Sequence, residues 1–293
     1  MNYFSKGVKE TIKRALKEDI GRQDITTAMV IPKGKRVKGI LLAKQNCVIC
    51  GLNIAAGIFK DKRVNFKPLV SEGQKIKKGK VIANISGKAR GILTAERVAL
   101  NFLSLLSGIA TETRRYVDAV RPYKTRILDT RKTLPGLREL EKYAVRIGGG
   151  HNHRMGLDEM VLVKDNHLKV LGDRLWVEGL KEIRKKIGSG IQVEVEVKTL
   201  REFKDALKIE PEIILLDNMS VKGMRQAVKI RNSLASGTLP VRRAGYRLSP
   251  KLEASGGIDL CNVRRIAATG VDMVSIGALT HSVRAIDLSL EIL

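Results

Sequence analysis

Residues 192–217, QVEVEVKTLREFKDALKIEPEIILLD, decide how the chain folds. VEVEV alternates apolar and acidic side chains, the period of a strand. Residues 201–208 carry helical patterning, and IILLD is a short apolar run ending in a charge. Strand, helix, strand in so few residues reads as one crossover unit of a parallel sheet. The parity of VEVEV puts Glu194 and Glu196 on one face, pointing into a barrel if the sheet closes.

The rhythm continues on both sides. Strand candidates fall at 126–130, 160–164, 192–197, 213–217, 252–255 and 273–276, with a further one near 145–149. Helical segments such as 176–187 and 201–208 lie between them. This predicts a barrel with fewer strands than the usual eight. Residues 235–251, rich in Gly, Pro, Ser and Arg, interrupt the rhythm as a loop or insertion.

The first part of the chain follows other periods. Residues 5–18 place Val8, Ile12, Ala15 and Leu16 on one helical face. Residues 36–49 and 64–86 read as short strands of a plain antiparallel layer joined by glycine turns. SEGQKIKKGKVIANISG resembles a lipoyl or biotinyl carrier hairpin only superficially, because no lysine sits at a tight hairpin tip. Residues 92–120 are strongly helical, and Ser107-Gly108 would split them into two helices at a domain boundary. The expected organisation is α/β, with one domain over 1–107 and a barrel over 108–277.

Composition narrows the function. There are 55 Lys and Arg against 30 Asp and Glu, a formal net charge of +25. Such charge suits a solvated basic surface, nucleic acid or a cleft that steers small anions. Aromatics are only 4%, and Trp176 is the one tryptophan, which argues against a base-stacking platform. No block of five like charges forms a basic tail. The lone CxxC pair, Cys47 and Cys50, has no second CxxC to complete a structural zinc site, and its apolar setting NCVICGL reads as buried strand. Three cysteines and no signal peptide point to a reducing cytoplasm. No continuous apolar run is long enough to span a membrane.

Charged residues gather where a barrel keeps its active site. Arg131 and Lys132 follow RILDT, His153 and Arg154 follow the glycine run, Lys164 ends MVLVK, and Asp217 ends IILLD. Charge at strand ends is costly unless it binds something. Four cations and a histidine facing Glu196 and Asp217 suit a polyanion held with a divalent metal. LEASGGI and SIGAL supply Ser255, Gly256, Gly257 and Gly277 after the last two strand candidates, where barrels commonly bind phosphate. His151 and His153 form HxH, but a metal site of the amidohydrolase kind needs more strand-end ligands than the chain offers. Glu96 and Arg97 read as surface neighbours on a helix.

At this point the residues resemble a known family. DTRKTLPGLRELEKYAVRIGGGHNHRMGLDEMVLVKDNH (129–167) is similar to the signature of the quinolinate phosphoribosyltransferases. TAERVALNFLSLLSGIAT, VEVEV, LLDNMS, LEASGGI and SIGALTHS follow in order, so the resemblance covers essentially the whole chain. It implies synthesis of nicotinate mononucleotide, CO₂ and pyrophosphate from quinolinate and phosphoribosyl pyrophosphate (PRPP), with Mg²⁺. It implies an incomplete (β/α) barrel beside an N-terminal α/β sandwich, with a C-terminal helix (278–293) returning to the sandwich. It also implies a homodimer, with or without assembly into hexamers, in which Arg97 completes the neighbouring site; this replaces the surface reading of Arg97.

Carried over to this chain, Arg131, His153, Arg154 and Lys164 would hold the quinolinate carboxylates. Thr130 and Lys132 would line the same pocket, with Lys132 near pyrophosphate. Glu196 and Asp217 would bind ribose hydroxyls and Mg²⁺, with Lys164 among the catalytic groups. Ser255, Gly256, Gly257 and Gly277 would cradle the 5′-phosphate, with His281 near that end. The 235–251 segment looks longer than the family pattern, and its Arg242, Arg243 and Arg247 would cover the phosphate site or reach a neighbouring subunit. Two other readings compete: a same-fold paralogue acting on another base or tied to molybdenum uptake, and a basic nucleic-acid-binding protein. Cations set beside Glu196 and Asp217 do not suit a phosphate backbone, so neither nucleic acid nor membrane is the expected partner.

Overall fold

Backbone pairing follows the two periods of the sequence. The computed structural model describes residues 5–172, 176–186, 190–235 and 249–293. Arg242, Arg243 and Arg247 lie outside the described residues. In chain order the elements begin α1 (Lys6–Ile20), α2 (Ile25–Val30), β1 (Arg36–Ala43), β2 (Cys47–Val48), α3 (Leu52–Asp61), β3 (Asn65–Pro68), β4 (Lys75–Ile76), β5 (Val81–Lys88) and α4 (Ala89–Val120). Strand and helix then alternate through β6 (Arg126–Leu128), α5 (Arg138–Ile147), β7 (Val161–Val163), α6 (Asp165–Leu171), α7 (Trp176–Lys186) and β8 (Val193–Val197). The order ends α8 (Leu200–Leu207), β9 (Ile213–Asp217), α9 (Val221–Ala235), β10 (Lys251–Ser255), α10 (Val263–Ala267), β11 (Met273–Ser275), α11 (Ala278–His281) and β12 (Leu288–Ile292).

The chain divides into two units. One comprises Met1–Arg114, Lys132–Gly150 and Gly277–Leu293; the other comprises Arg115–Arg131 and His151–Ile276. In the second unit, six strands pair in parallel in the order β6-β11-β10-β9-β8-β7. This is the expected incomplete barrel. Leu128, Met160, Ile213 and Met273 form an apolar cluster in it. All five residues of β8 are buried, acids included. The helix after β8 starts where Thr199 accepts the Glu202 N–H at 3.1 Å, a side-chain N-cap, and buries Phe203, Ala206 and Leu207.

The strand expected near 145–149 is absent. Residues up to Ile147 complete α5, which buries Leu140, Ala144 and Val145 at helical spacing. Gly148 then passes so close to α4 that an added Cβ would sit 2.6 Å from Thr113 Cβ and 2.7 Å from the Ala110 carbonyl. Only His151 touches the sheet, through a parallel bridge to Leu128.

The first unit holds an antiparallel sheet ordered β12-β1-β5-β3 and a small β2-β4 pair. Gly39, Leu41 and Ala43 of β1 face inward at period two. Phe59 of α3 stacks on Phe66 of β3, with ring centroids 5.7 Å apart. Cys47 and Cys50 are buried, as expected, and burial pushes the Cys47 thiol up to about 11 and raises Cys50 well above its ordinary value. Both thiols therefore stay protonated and inert.

Two expectations for this unit are corrected. Residues 278–293 do not form one helix: α11 is four residues long, and β12 pairs antiparallel with β1, Leu290 opposite Leu41 and Ile292 opposite Gly39. Leu288, Leu290 and Ile292 recur at period two, and the open edge of β1 supplies the partner. Ser107-Gly108 does not split α4, which runs unbroken through both. The Ser107 hydroxyl accepts the Cys50 N–H at 3.0 Å and donates to the Cys50 carbonyl at 3.2 Å. Gly108 is bare because the Arg284 carbonyl packs where a Cβ would go. By length and composition alone α4 could also cross a membrane. Its Ala95, Ala99, Leu103, Leu106, Ile109 and Ala110 are instead fully buried in the protein.

Glu141 is buried on α5, where its Oε2 accepts the Leu134 N–H at 3.2 Å. Burial pushes its carboxyl up to about 7, against the pull of Leu134 and Arg138. The folded state thus holds this proton more tightly than the unfolded chain, so Glu141 costs stability as pH rises from about 4.5 to about 7. Glu141→Gln should flatten that part of the pH–stability curve, measured as melting temperatures at pH 5 and pH 8. Gly108→Ala should destabilise by about 1–3 kcal/mol through overpacking, whereas Gly34→Ala, with open space around it, should be near neutral in the same melts.

Candidate active site

The carboxyl ends of the parallel strands carry the charges foreseen from sequence. Lys164 directly follows β7, Glu196 lies near the end of β8, Asp217 ends β9 and Ser255 ends β10. Asp217 and Ser255 are register partners across β9 and β10. Lys164 Nζ lies 3.1 Å from Glu196 Oε2. Glu196 is buried while the lysine is half exposed, so this pair borders solvent. Lys198 Nζ sits 2.9 Å from Asp165 and 4.0 Å from Asp217.

Arg131 and Arg154 form the cationic centre. Burial, and next the Arg131 charge, work against the charged form of Arg154, while Glu194 favours it. Arg154 is buried, its Nη1 donates to the Met160 carbonyl at 3.0 Å, and its Nε has no hydrogen-bond partner among the described residues. Two guanidiniums held together with an unsatisfied donor form a receptor for an anion.

The segment carrying Arg154 is fixed from below. Fully buried Asp129 accepts the His153 N–H at 2.9 Å and the Asn152 side-chain amide at 2.5 Å. The His153 ring turns inward, its Nε2 3.0 Å from Glu194 Oε2 and 3.8 Å from Glu253 Oε1. Its Nδ1 accepts the Arg154 backbone N–H at 2.8 Å. Both ring nitrogens therefore face protein groups. His151 is exposed, so the HxH pair diverges and makes no joint ligand set.

The glycine turn after β10 has the geometry a phosphate cradle needs. Gly256 and Gly257 have φ of 93° and 58°. An added Cβ at Gly256 would collide with the Asn218 amide. Asn218, itself at φ 52°, donates its N–H to the Ser255 carbonyl at 2.8 Å and its side-chain amide to Asp217 at 2.9 Å. Asn262 donates to the Gly257 carbonyl at 2.8 Å. Backbone amides in such a turn are free to converge on an anion.

In the other unit, Lys132, Gly277 and His281 come together. A Cβ on Gly277 would lie 3.0 Å from Lys132 Cδ and 3.2 Å from His281 Nε2. The buried Thr280 hydroxyl donates to the Lys132 carbonyl at 2.7 Å and so fixes the backbone under that lysine. Arg97 is exposed on α4; burial raises the carboxyl of neighbouring Glu96 above its ordinary value, and the Arg97 charge opposes that rise. Thr130 is half-buried directly before Arg131.

Glu253, Asn218, Thr280 and Asp129 escaped the sequence reading. Glu253 and Asn218 lie inside quoted motifs, LEASGGI and LLDNMS, but nothing local marks them. Glu253 is fully buried, and burial, then the neighbouring Glu194 charge, push its carboxyl well above the ordinary range. The inward parity of Glu194 was legible, and its contact with His153 was not.

The chain matches the model of the quinolinate phosphoribosyl transferase C-terminal domain over residues 109–291 and that of the N-terminal domain over residues 24–107. It is 42% identical over 291 residues to the nicotinate-nucleotide pyrophosphorylase (carboxylating) of Mycobacterium leprae, covering 97% of this chain and 96% of that protein. A probable enzyme of the same name from Methanocaldococcus jannaschii is 39% identical over 283 residues, covering 96% and 95%. The solved nicotinate-nucleotide pyrophosphorylase of Ehrlichia chaffeensis superimposes with a TM-score of 0.89 at 35% identity, covering 99% of this chain and 100% of that one. The Francisella tularensis structure of that name gives 0.87 at 37% identity, covering 98% and 96%. Matched in both domains and along nearly its whole length, the chain belongs to the quinolinate phosphoribosyl transferase family.

Proposed function

We propose that this protein transfers the phosphoribosyl group of PRPP to the ring nitrogen of quinolinate, with loss of CO₂, giving nicotinate mononucleotide and pyrophosphate. The observation that carries this reading is buried Arg154, its Nε without a hydrogen-bond partner among the described residues, beside the charge of Arg131 and in the same unit as Lys164, Glu196 and Asp217. Two guanidiniums and an ammonium match a dianionic aromatic acid, and preorganised charge is the main aid a transfer between anions requires. The family names of the relatives support the same substrates.

In this reading Arg131, Arg154 and Lys164 hold the two carboxylates and aim the ring nitrogen at the ribose. The Ser255–Gly257 turn takes the 5′-phosphate, with Gly277, Lys132 and His281 serving the phosphate and pyrophosphate ends. Glu196 and Asp217 meet the ribose hydroxyls. They also fit Mg²⁺, which binds through one or two carboxylates together with substrate oxygens. Bound there, Mg²⁺ would stabilise the departing pyrophosphate. As the ribose carbon loses pyrophosphate it gains oxocarbenium character, and the nearby carboxylates offset that charge. The nitrogen attacks and becomes cationic. Carbon-2 then releases CO₂, keeps the electron pair beside the positive nitrogen, and takes up a proton. No side-chain nucleophile enters.

The reading includes a cytoplasmic homodimer in which exposed Arg97 reaches the partner's site. Its three cysteines are unpaired, in keeping with a reducing compartment.

The first test mixes the protein with quinolinate, PRPP and Mg²⁺ and follows the ultraviolet band of nicotinate mononucleotide; no product with all three present would reject the reading. Lys164→Ala and Arg131→Ala should each lower turnover by about 10²-fold or more with unchanged melting temperature. Near-normal activity in either would remove that residue from its role. Chelation should abolish turnover and Mg²⁺ restore it. Mixing inactive Arg97→Ala with inactive Lys164→Ala should recover roughly a quarter of wild-type activity, because half the dimers are hybrids with one intact site. No recovery would place Arg97 in its own subunit's site or in none.

A further inference from the structure

Glu194 and Glu253 take no part in the reaction proposed above, yet both are fully buried inside the barrel unit. Glu194 Oε1 and both Glu253 oxygens lack full hydrogen-bond geometry with any described donor. Buried acids with unsatisfied oxygens are costly, so their place inside the barrel unit calls for a role.

The His153 ring supplies the link. A backbone amide can only donate, so Nδ1, which accepts the Arg154 N–H at 2.8 Å, carries a lone pair. The ring proton of the neutral imidazole therefore sits on Nε2, facing Glu194 at 3.0 Å and Glu253 at 3.8 Å. This excludes the alternative that the three groups form a metal site, although their ligand atoms lie within 4.8 Å of one another. A metal would need the Nε2 lone pair that the proton occupies. The Nδ1 bond ends on the amide of Arg154, whose guanidinium also meets the Met160 carbonyl at Nη1 and the charge of Glu194. The acids thus reach Arg154 through the ring and one peptide group, and Glu194 reaches it through its charge as well.

We propose that Glu194 and Glu253 are positioning residues: they hold His153 in its Nε2-protonated form, and through the bond from the Arg154 amide to Nδ1 they set where the Arg154 guanidinium receives a substrate carboxylate. The carboxylate half rests on the quinolinate reading. It also moves His153 from ligand to support, since neither ring nitrogen is turned to substrate.

The test has two arms, both on the full-length protein. Nitrogen-15 spectra of the histidine rings, with His153 assigned by loss of its signals in His153→Gln, should show a neutral Nε2–H ring in the wild type. A proton on Nδ1, a cationic ring at neutral pH, or a shift on adding Zn²⁺ or Mn²⁺ alone would overturn the proposal. In the second arm, Glu194→Leu and Glu253→Leu should raise the KM for quinolinate about tenfold while leaving that for PRPP within about twofold. Glu253→Gln, which keeps the hydrogen-bonding atoms, should stay close to wild type. An equal loss for both substrates would mark a merely structural role and overturn it. If the leucine variants fail to fold, the wild-type spectrum still decides. A wild type that makes no nicotinate mononucleotide would reject the functional reading and the carboxylate half with it, while the ring arm remains valid by itself.

Discussion

The repulsion between Arg131 and Arg154 is the constraint on which the site depends. Two guanidiniums close together in a poorly solvated place are tolerated only with negative charge nearby. Glu194 supplies some of it from inside the barrel, and the Arg154 charge is favoured by it. Strand ends that carry two guanidiniums are biased toward small anions before any substrate arrives. Glu196 and Asp217 keep the same region from being uniformly positive.

The supporting layers are ordered by that need. Asp129 pins the backbone of residues 152 and 153, and the His153 ring pins the amide of Arg154. Asn218 ties the end of β9 to the glycine turn after β10. Each of these polar residues is fixed by a bond to backbone, the arrangement expected where a side chain must be held to a fraction of an ångström. The buried apolar cluster of Leu128, Met160, Ile213 and Met273 lies in the same unit.

The barrel was legible because its strands bear a clear local signature. VEVEV and IILLD announce their period and their ends, and the charges at those ends were found from the same runs. The C-terminal helix was expected from the family resemblance and not from the residues: Leu288, Leu290 and Ile292 recur at the period of a strand, whose partner is the open edge of β1, far away in sequence. Ser107-Gly108 looked like a break because local propensity treats Gly as one, whereas tertiary packing against Arg284 requires a bare α-carbon. In the site, residue types were legible and partners were not. No spacing rule tells that His153 turns inward to Glu194, or that Glu253 lies beside them, since those contacts arise only when β8 and β10 are assembled around β9.

The pairing of β12 with β1 also bears on how the protein is made. Gly39 is made well before its register partner Ile292. The antiparallel sheet therefore cannot be finished until β12 has been made, however quickly β1, β5 and β3 pair. Until then β1 presents an unpaired edge, a template for association with other chains. The exposed interval lengthens with every residue inserted between the two strands.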